Sequence, residues 1–213
     1  MTRPTSRLET IGEKVRSRFV DIDGAREKGL RLSRETIRCS ATAIRAVHRK
    51  EYDEAKKFIG MAQSHVVEMA SSLDAWGELK FGGFVYNAEK EYAEACITLA
   101  LVTGETVPDP DELGIGYAAY LNGLGEAAGE MRRHLLDTLR KGDVKRCEEI
   151  LDAMDDIYSL LTTMDFPDGM TGGLRRTNDM VRGVLERTRG DLTLSLRQRE
   201  LEQKLDSLGT NLK

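Results

Sequence analysis

The chain has 213 residues, 40% of them apolar and 32% charged, with a formal net charge of −4 and four prolines. That composition excludes a disordered or collagen-like polypeptide and leaves room for one large domain or two small ones. No run approaches the roughly 20 apolar residues of a membrane span, the charged start lacks the apolar stretch of a signal peptide, and Cys39, Cys96 and Cys147 are odd in number and far apart, so a protein of the reducing cytoplasm is expected.

Apolar residues recur at threes, fours and sevens nearly throughout, and strand-like alternation is confined to Leu192–Leu196. The pattern predicts seven helices, over 5–20, 23–48, 51–75, 84–103, 109–141, 144–163 and 168–189, punctuated by Gly77, Gly104, Pro108-Asp109-Pro110, Gly142-Asp143 and Pro167. Short connections between long helices favour antiparallel neighbours, so the expected fold is a single all-α antiparallel bundle. Residues 1–190 form the expected domain, and 191–213, with leucines spaced among charges, form a charged tail or a short further helix.

Charge is segregated along this series. Residues 26–50 carry eight basic and two acidic side chains, residues 89–130 carry one basic and nine acidic, and residues 173–199 carry seven basic and three acidic. Two basic blocks flanking an acidic one suggest a polyanion-binding surface around a cation-binding centre. On the second predicted helix Arg31, Arg34, Arg38, Arg45 and Arg49 fall within an arc of about 60° at about 100° per residue. A row of rigid guanidinium forks suits phosphate oxygens, although pairing with Glu27 and Glu35 would also account for it. Arg175 and Arg176 begin a second cluster, for which pairing with Asp179 and Glu186 is the alternative. Aromatic residues do not interleave with either cluster, so contact with a nucleic acid would run through its backbone.

The acidic block holds two co-facial pairs. Glu91 and Glu94 lie three apart on the fourth helix, and Glu126 and Glu130 lie four apart on the fifth. Gly123, Gly125 and Gly129 surround the second pair, each costing a helix about 1 kcal/mol relative to alanine, which suggests close packing against another helix. Facing pairs would make a four-carboxylate cage suited to hard cations such as Mg²⁺ or Mn²⁺, although a solvated acidic face has the same spacing. His48, His65 and His134 are scattered and read as surface or structural residues. There is no nucleophile elbow and no phosphate-binding Gly-x-x-x-x-Gly-Lys loop.

Several stretches resemble the translin superfamily, and specifically the prokaryotic proteins similar to translin-associated factor X (Trax). They are Ser33-Arg34-Glu35-Thr36, Arg45–Arg49, Glu91–Ala95, Tyr120–Arg133, Gly172–Arg176 and Glu186–Leu192. The resemblance implies a seven-helix fold assembled into a closed octameric shell, homomeric here, with substrate inside. It also implies a Mg²⁺-dependent endoribonuclease, Mn²⁺ being an acceptable substitute, acting on small single-stranded or mismatched RNA. Carried over residue by residue, the catalytic and metal-binding acids are Glu91, Glu94, Glu126 and Glu130. Trax proteins typically have Asp at the position of Glu126, and the added methylene would shift a metal-ligating oxygen. Arg31, Arg34, Arg38, Arg45, Arg175 and Arg176 are the expected nucleic-acid-binding residues. The alternatives are a non-catalytic protein of the translin type, binding single-stranded RNA or DNA with its acids paired to arginines, and a helical oligomer whose charges serve only subunit contacts.

Overall fold

A computed structural model describes residues 3–211 of the chain. Nine helices are found among the described residues: α1 Leu8–His48, α2 Tyr52–Leu73, α3 Gly77–Lys80, α4 Gly83–Thr103, α5 Pro110–Leu113, α6 Tyr117–Leu139, α7 Val144–Thr162, α8 Asp168–Thr171 and α9 Leu174–Asn211. Six are long, and α3, α5 and α8 are single turns. No helix among the described residues is long and apolar enough to cross a membrane. The all-α bundle expected from the sequence is formed, with its segments divided differently.

The differences follow from how glycine acts in each place. The two segments expected over 5–20 and 23–48 are one 41-residue helix, α1. A lone Gly24 costs only about 1 kcal/mol, too little to stop a helix already propagating on both sides. Likewise Gly190 does not end α9, which runs on to Asn211, while residues 1–2 and 212–213 lie outside the described residues. By contrast, Gly114 at φ 67° and the pair Gly172 and Gly173 at φ 63° and 82° take left-handed backbone. These glycines split off α5 and α8 from the long helices that follow. Pro110 and the reciprocal Asp109–Glu112 capping box define the single turn of α5.

In the packed body α1 lies against α2 and α4, α4 against α6, and α6 against both α7 and α9, which also touch each other. One core cluster gathers Tyr92, Ile97, Leu124, Leu161 and Val181 between α4, α6, α7 and α9. A second, around Val47, Met131, Leu135, Met154 and Leu185, extends the same layers towards the far end of α6. Full burial of such side chains contributes about 1.5–3 kcal/mol each. The apolar face of α7, with Ile150, Met154, Ile157 and Leu161, is buried in this core. Arg132 of α6 donates to Thr188 Oγ1 and Asp191 Oδ2 of α9, and Arg199 donates to the carbonyls of Gly142 and Leu139. The segment after Gly190 is therefore docked at least as far as Arg199. Leu201, Leu205 and Leu208 are exposed, as are Leu8, Ile11, Val15 and Phe19 at the other end of the chain.

Candidate metal centre and nucleic-acid cleft

The site is built where α4 and α6 cross at unusually close range. A methyl group on Gly123 would come within 2.6 Å of the Lys90 carbonyl oxygen and 2.8 Å of the Ala93 Cβ, so this glycine is what lets the two backbones meet. Gly125 does the same on the opposite face of α6, where a Cβ would overlap Thr177 of α9. Gly129, grouped with them in the sequence, faces open space. Asn122 then fixes the rotation of α6. It donates to the Thr171 carbonyl at 2.8 Å and accepts from Thr177 Oγ1 at 2.5 Å, tying the helix to α8 and α9 one turn before Glu126.

This close crossing brings together carboxylate oxygens of Glu91, Glu94 and Glu126, all within 4.8 Å of one another. Glu94 is buried and the other two are half-buried. At an effective dielectric of about 20, each pair of like charges at such range costs roughly 3–4 kcal/mol. The cluster relieves this in two ways. Burial, and then the charges of Glu126, Glu91 and Glu130, push the Glu94 carboxyl up to about 8, so it holds its proton at neutral pH. Burial also raises Glu91, against the opposing charge of Lys90. The second relief is Lys90 itself, whose ammonium lies 2.5 Å from Glu126 Oε1 and 3.5 Å from Glu91 Oε1. Burial works against the charge on Lys90, but these carboxylates outweigh it and its pKa is raised.

Glu130, the fourth expected acid, is not among the three that converge. Its carboxylate meets Nε2 of His48, the last residue of α1. The His48 hydrogen bond holds Glu130 below the usual carboxylate range, with burial opposing and the His48 and Arg133 charges assisting. Glu130 is still near enough for its charge to be felt at Glu94.

A cavity of about 540 Å³ opens beside the cluster, with Lys90 and Glu126 on one wall, Arg176 and Thr177 on another, and Tyr86 and Asn122 between them. Arg176 thus reaches the acidic cleft, whereas its neighbour Arg175 lies 3.6 Å from Asp165 at the surface. Arg31, Arg34, Arg38 and Arg45 are exposed along α1, on the side away from the buried Leu32, Cys39, Ala43 and Ala46. Arg38 pairs with Glu35 and Arg45 donates to Thr42, while Arg31 and Arg34 make no ion pair among the described residues. The alternative of local pairing therefore describes part of the row only.

Two residues of this site were not assigned to it by the sequence reading, which took His48 for a surface or structural residue. Lys90 has a readable signal, since Tyr86, Lys90 and Glu94 fall at successive fours on one helix face. His48 has none, because its partner is 82 residues away on another helix.

No family model matches the chain. It is 30% identical over 185 residues to an uncharacterized protein of Methanocaldococcus jannaschii, covering 86% of this chain and 82% of that one. Among solved structures, the crystal structure of AfC3PO superposes with a TM-score of 0.81 at 32% identity, over 88% of this chain and 97% of that one. The chain belongs to the translin superfamily. The same AfC3PO match holds for its complex with duplex RNA. Apo-NeC3PO shares the fold at a TM-score of 0.76 and 19% identity, over 92% of this chain and 98% of that one. The Trax-like character expected for this translin-superfamily chain agrees with these neighbours.

Proposed function

We propose that the chain is a divalent-metal-dependent endoribonuclease, and the convergence of Glu91, Glu94 and Glu126, the last of which lines an open cleft, is the observation that carries this reading. The donor set fits: three carboxylates in one small volume offer only oxygen, which suits Mg²⁺ or Mn²⁺. They also already draw an ammonium group into their midst. For these carboxylates to close on a cation, Lys90 must swing away from Glu126 and Glu94 must give up its proton. A bound divalent ion would supply water activation and stabilisation of the leaving oxygen of a phosphodiester. Arg176, which lines the same cavity, would hold the phosphate, and His48 would keep Glu130 oriented beside the cluster. Arg31, Arg34, Arg38 and Arg45, with Arg175 at the rim, would bind the nucleic-acid backbone. The cleft would face the interior of a closed homo-octameric shell in the cytoplasm, with residues 1–190 as the shell-forming domain.

Small single-stranded or mismatched RNA is the proposed substrate. The AfC3PO relative, solved with duplex RNA, supports nucleic-acid binding and adds a duplex to the substrates to be compared. The second reading is a non-catalytic single-stranded RNA- or DNA-binding protein, and it is favoured by Lys90 already neutralising two of the acids. End-labelled single-stranded, mismatched and duplex RNA incubated with Mg²⁺ or with chelator separates the two. Cleavage that needs the metal and disappears in a folded Glu91→Gln/Glu126→Gln variant is the expected result. Retention of RNA without cleavage in Mg²⁺ and Mn²⁺ would overturn the nuclease in favour of the binding protein.

A further inference from the structure

A second charged cavity lies at the end of the bundle where α1 and α6 finish, and it carries the opposite sign to the cleft. It encloses about 360 Å³ and is lined by Lys50, Arg140 and Lys141 together with His48 and His134. Asp137 is the one acid on its wall, and it already faces Arg140 at 3.6 Å. Lys50 and Lys141 make no ion pair among the described residues, yet they lie close together. The ammonium of Lys50, by hydrogen bonding and by charge, depresses Lys141 below the usual lysine range. Burial, and then the charges of Arg146, His48 and Lys50, lower His134 in the same way. Two exposed ammonium groups set close together repel each other, and an anion between them would relieve that repulsion.

A second observation concerns a residue of the same lining. The His48 side chain is only 4% exposed and its Nε2 is taken by Glu130. Its Nδ1 is buried with no hydrogen-bond partner among the described residues. Orphaned buried polar atoms are rare in folded proteins, and each asks for a partner. The residue that carries the orphan is among those lining the basic cavity, and its Nε2 holds Glu130 beside the candidate metal centre.

The placement relative to the arginine row narrows the ligand. Arg45 and Arg49 lead along α1 into Lys50, which turns the chain at φ 65°. An exposed helix face suits a run of internal phosphates, each carrying one charge. A walled cavity with two unpaired ammonium groups suits a group with two charges. We propose that this cavity binds the terminal phosphate monoester of a nucleic-acid strand. The assignment rests on the nucleic-acid reading given above and does not require cleavage.

The test measures equilibrium binding, in chelator so that no strand is cut, of one short single-stranded RNA in three forms: 5′-phosphorylated, 3′-phosphorylated and hydroxyl-ended. Wild type is expected to bind one phosphorylated form about tenfold more tightly than the hydroxyl-ended form. In Lys50→Asn/Lys141→Gln that ratio falls to about one, with hydroxyl-ended affinity within about twofold of wild type. Asn is chosen because it tolerates left-handed backbone, and Lys141→Gln alone, at an exposed side chain, reads the same ratio should the double variant not fold. Inorganic phosphate is expected to erase the preference while leaving hydroxyl-ended RNA bound. A wild-type ratio of one with RNA bound overturns the terminal-phosphate site and leaves the nucleic-acid reading standing. A preference that survives both substitutions, or phosphate that displaces every form equally, overturns it too. Failure of all three forms to bind overturns both readings together.

Discussion

The acidic cleft between α4 and α6 and the arginine row on α1 carry opposite charges, and they are held in opposite ways. The acids sit on two facing helices whose separation is set by a backbone contact at Gly123 and whose rotation is set by Asn122. Their side chains are buried or half-buried, and burial first, with neighbouring charges second, raises Glu94 and Glu91. The arginines lie on one exposed helix face, with Arg31 and Arg34 reaching into solvent. The cleft therefore depends on geometry, where a shift of an ångström matters. The row depends on summed charge, where any one member is replaceable. Substitutions should separate the two regions cleanly.

The largest effect is expected from Glu91→Gln/Glu126→Gln. Losing two of three convergent carboxylates should lower metal-dependent cleavage on the order of a thousandfold, with RNA affinity in chelator nearly unchanged, as read by single-turnover cleavage and by binding on one preparation. An equal fall in both would mean that the acids are part of the nucleic-acid surface. Next comes Gly123→Ala, a single methyl group added where the two helices cross. It should destabilise by about 1–3 kcal/mol, because the neighbour it meets is the Lys90 backbone carbonyl, and it should weaken Mg²⁺ binding by parting the two helices. Gly129→Ala, which meets nothing, is the matched control and should be neutral or stabilising in a thermal melt.

The cleft should also announce itself in the pH dependence of the metal-free protein. With the Glu94 carboxyl raised to about 8 in the folded chain, the folded state binds more protons than the unfolded state between about pH 4.5 and 8. Stability then falls as pH rises through that window, by at most about 1.4 kcal/mol per pH unit for one proton. Glu94→Gln should flatten that slope, and Mg²⁺ binding near pH 7 should release close to one proton in calorimetry run in buffers of different ionisation enthalpy. A slope unchanged in Glu94→Gln would assign the titration elsewhere.

Much of the cleft was legible in the sequence because it is written at helical spacing. Glu91 with Glu94, and Glu126 with Glu130, are co-facial pairs, and Gly123 and Gly125 stand in a helix at a cost that close packing explains. What could not be read is how each pair turns after the helices meet. Only the tertiary contact from α1 shows that Glu130 is engaged by His48, and only the inward reach of Lys90 makes it part of the cluster. The fold class was legible for the same reason. The continuity of α1 and α9 was not, because a single glycine carries no mark distinguishing a tolerated residue from a left-handed one such as Gly114.

The smallest expected effect tests the arginine row. Arg31→Ala/Arg34→Ala removes two of the three members, Arg45 being the other, that no acid neutralises among the described residues, so it should change nucleic-acid binding without a compensating change in folding. Each phosphate contact on a single strand contributes about 0.7 to the slope of log affinity against log salt. The pair should therefore flatten that slope by about 1.4 and weaken binding only a few-fold near physiological salt. Arg38→Ala, which also frees Glu35 from its partner, should change the slope less, because that cation is already partly spent. The effect should be the same for different RNA sequences, since contacts to a backbone carry no base information. A sequence-dependent loss would mean that the row reads bases, and an unchanged slope would move the polyanion surface off α1 and onto the Arg176 wall of the cleft.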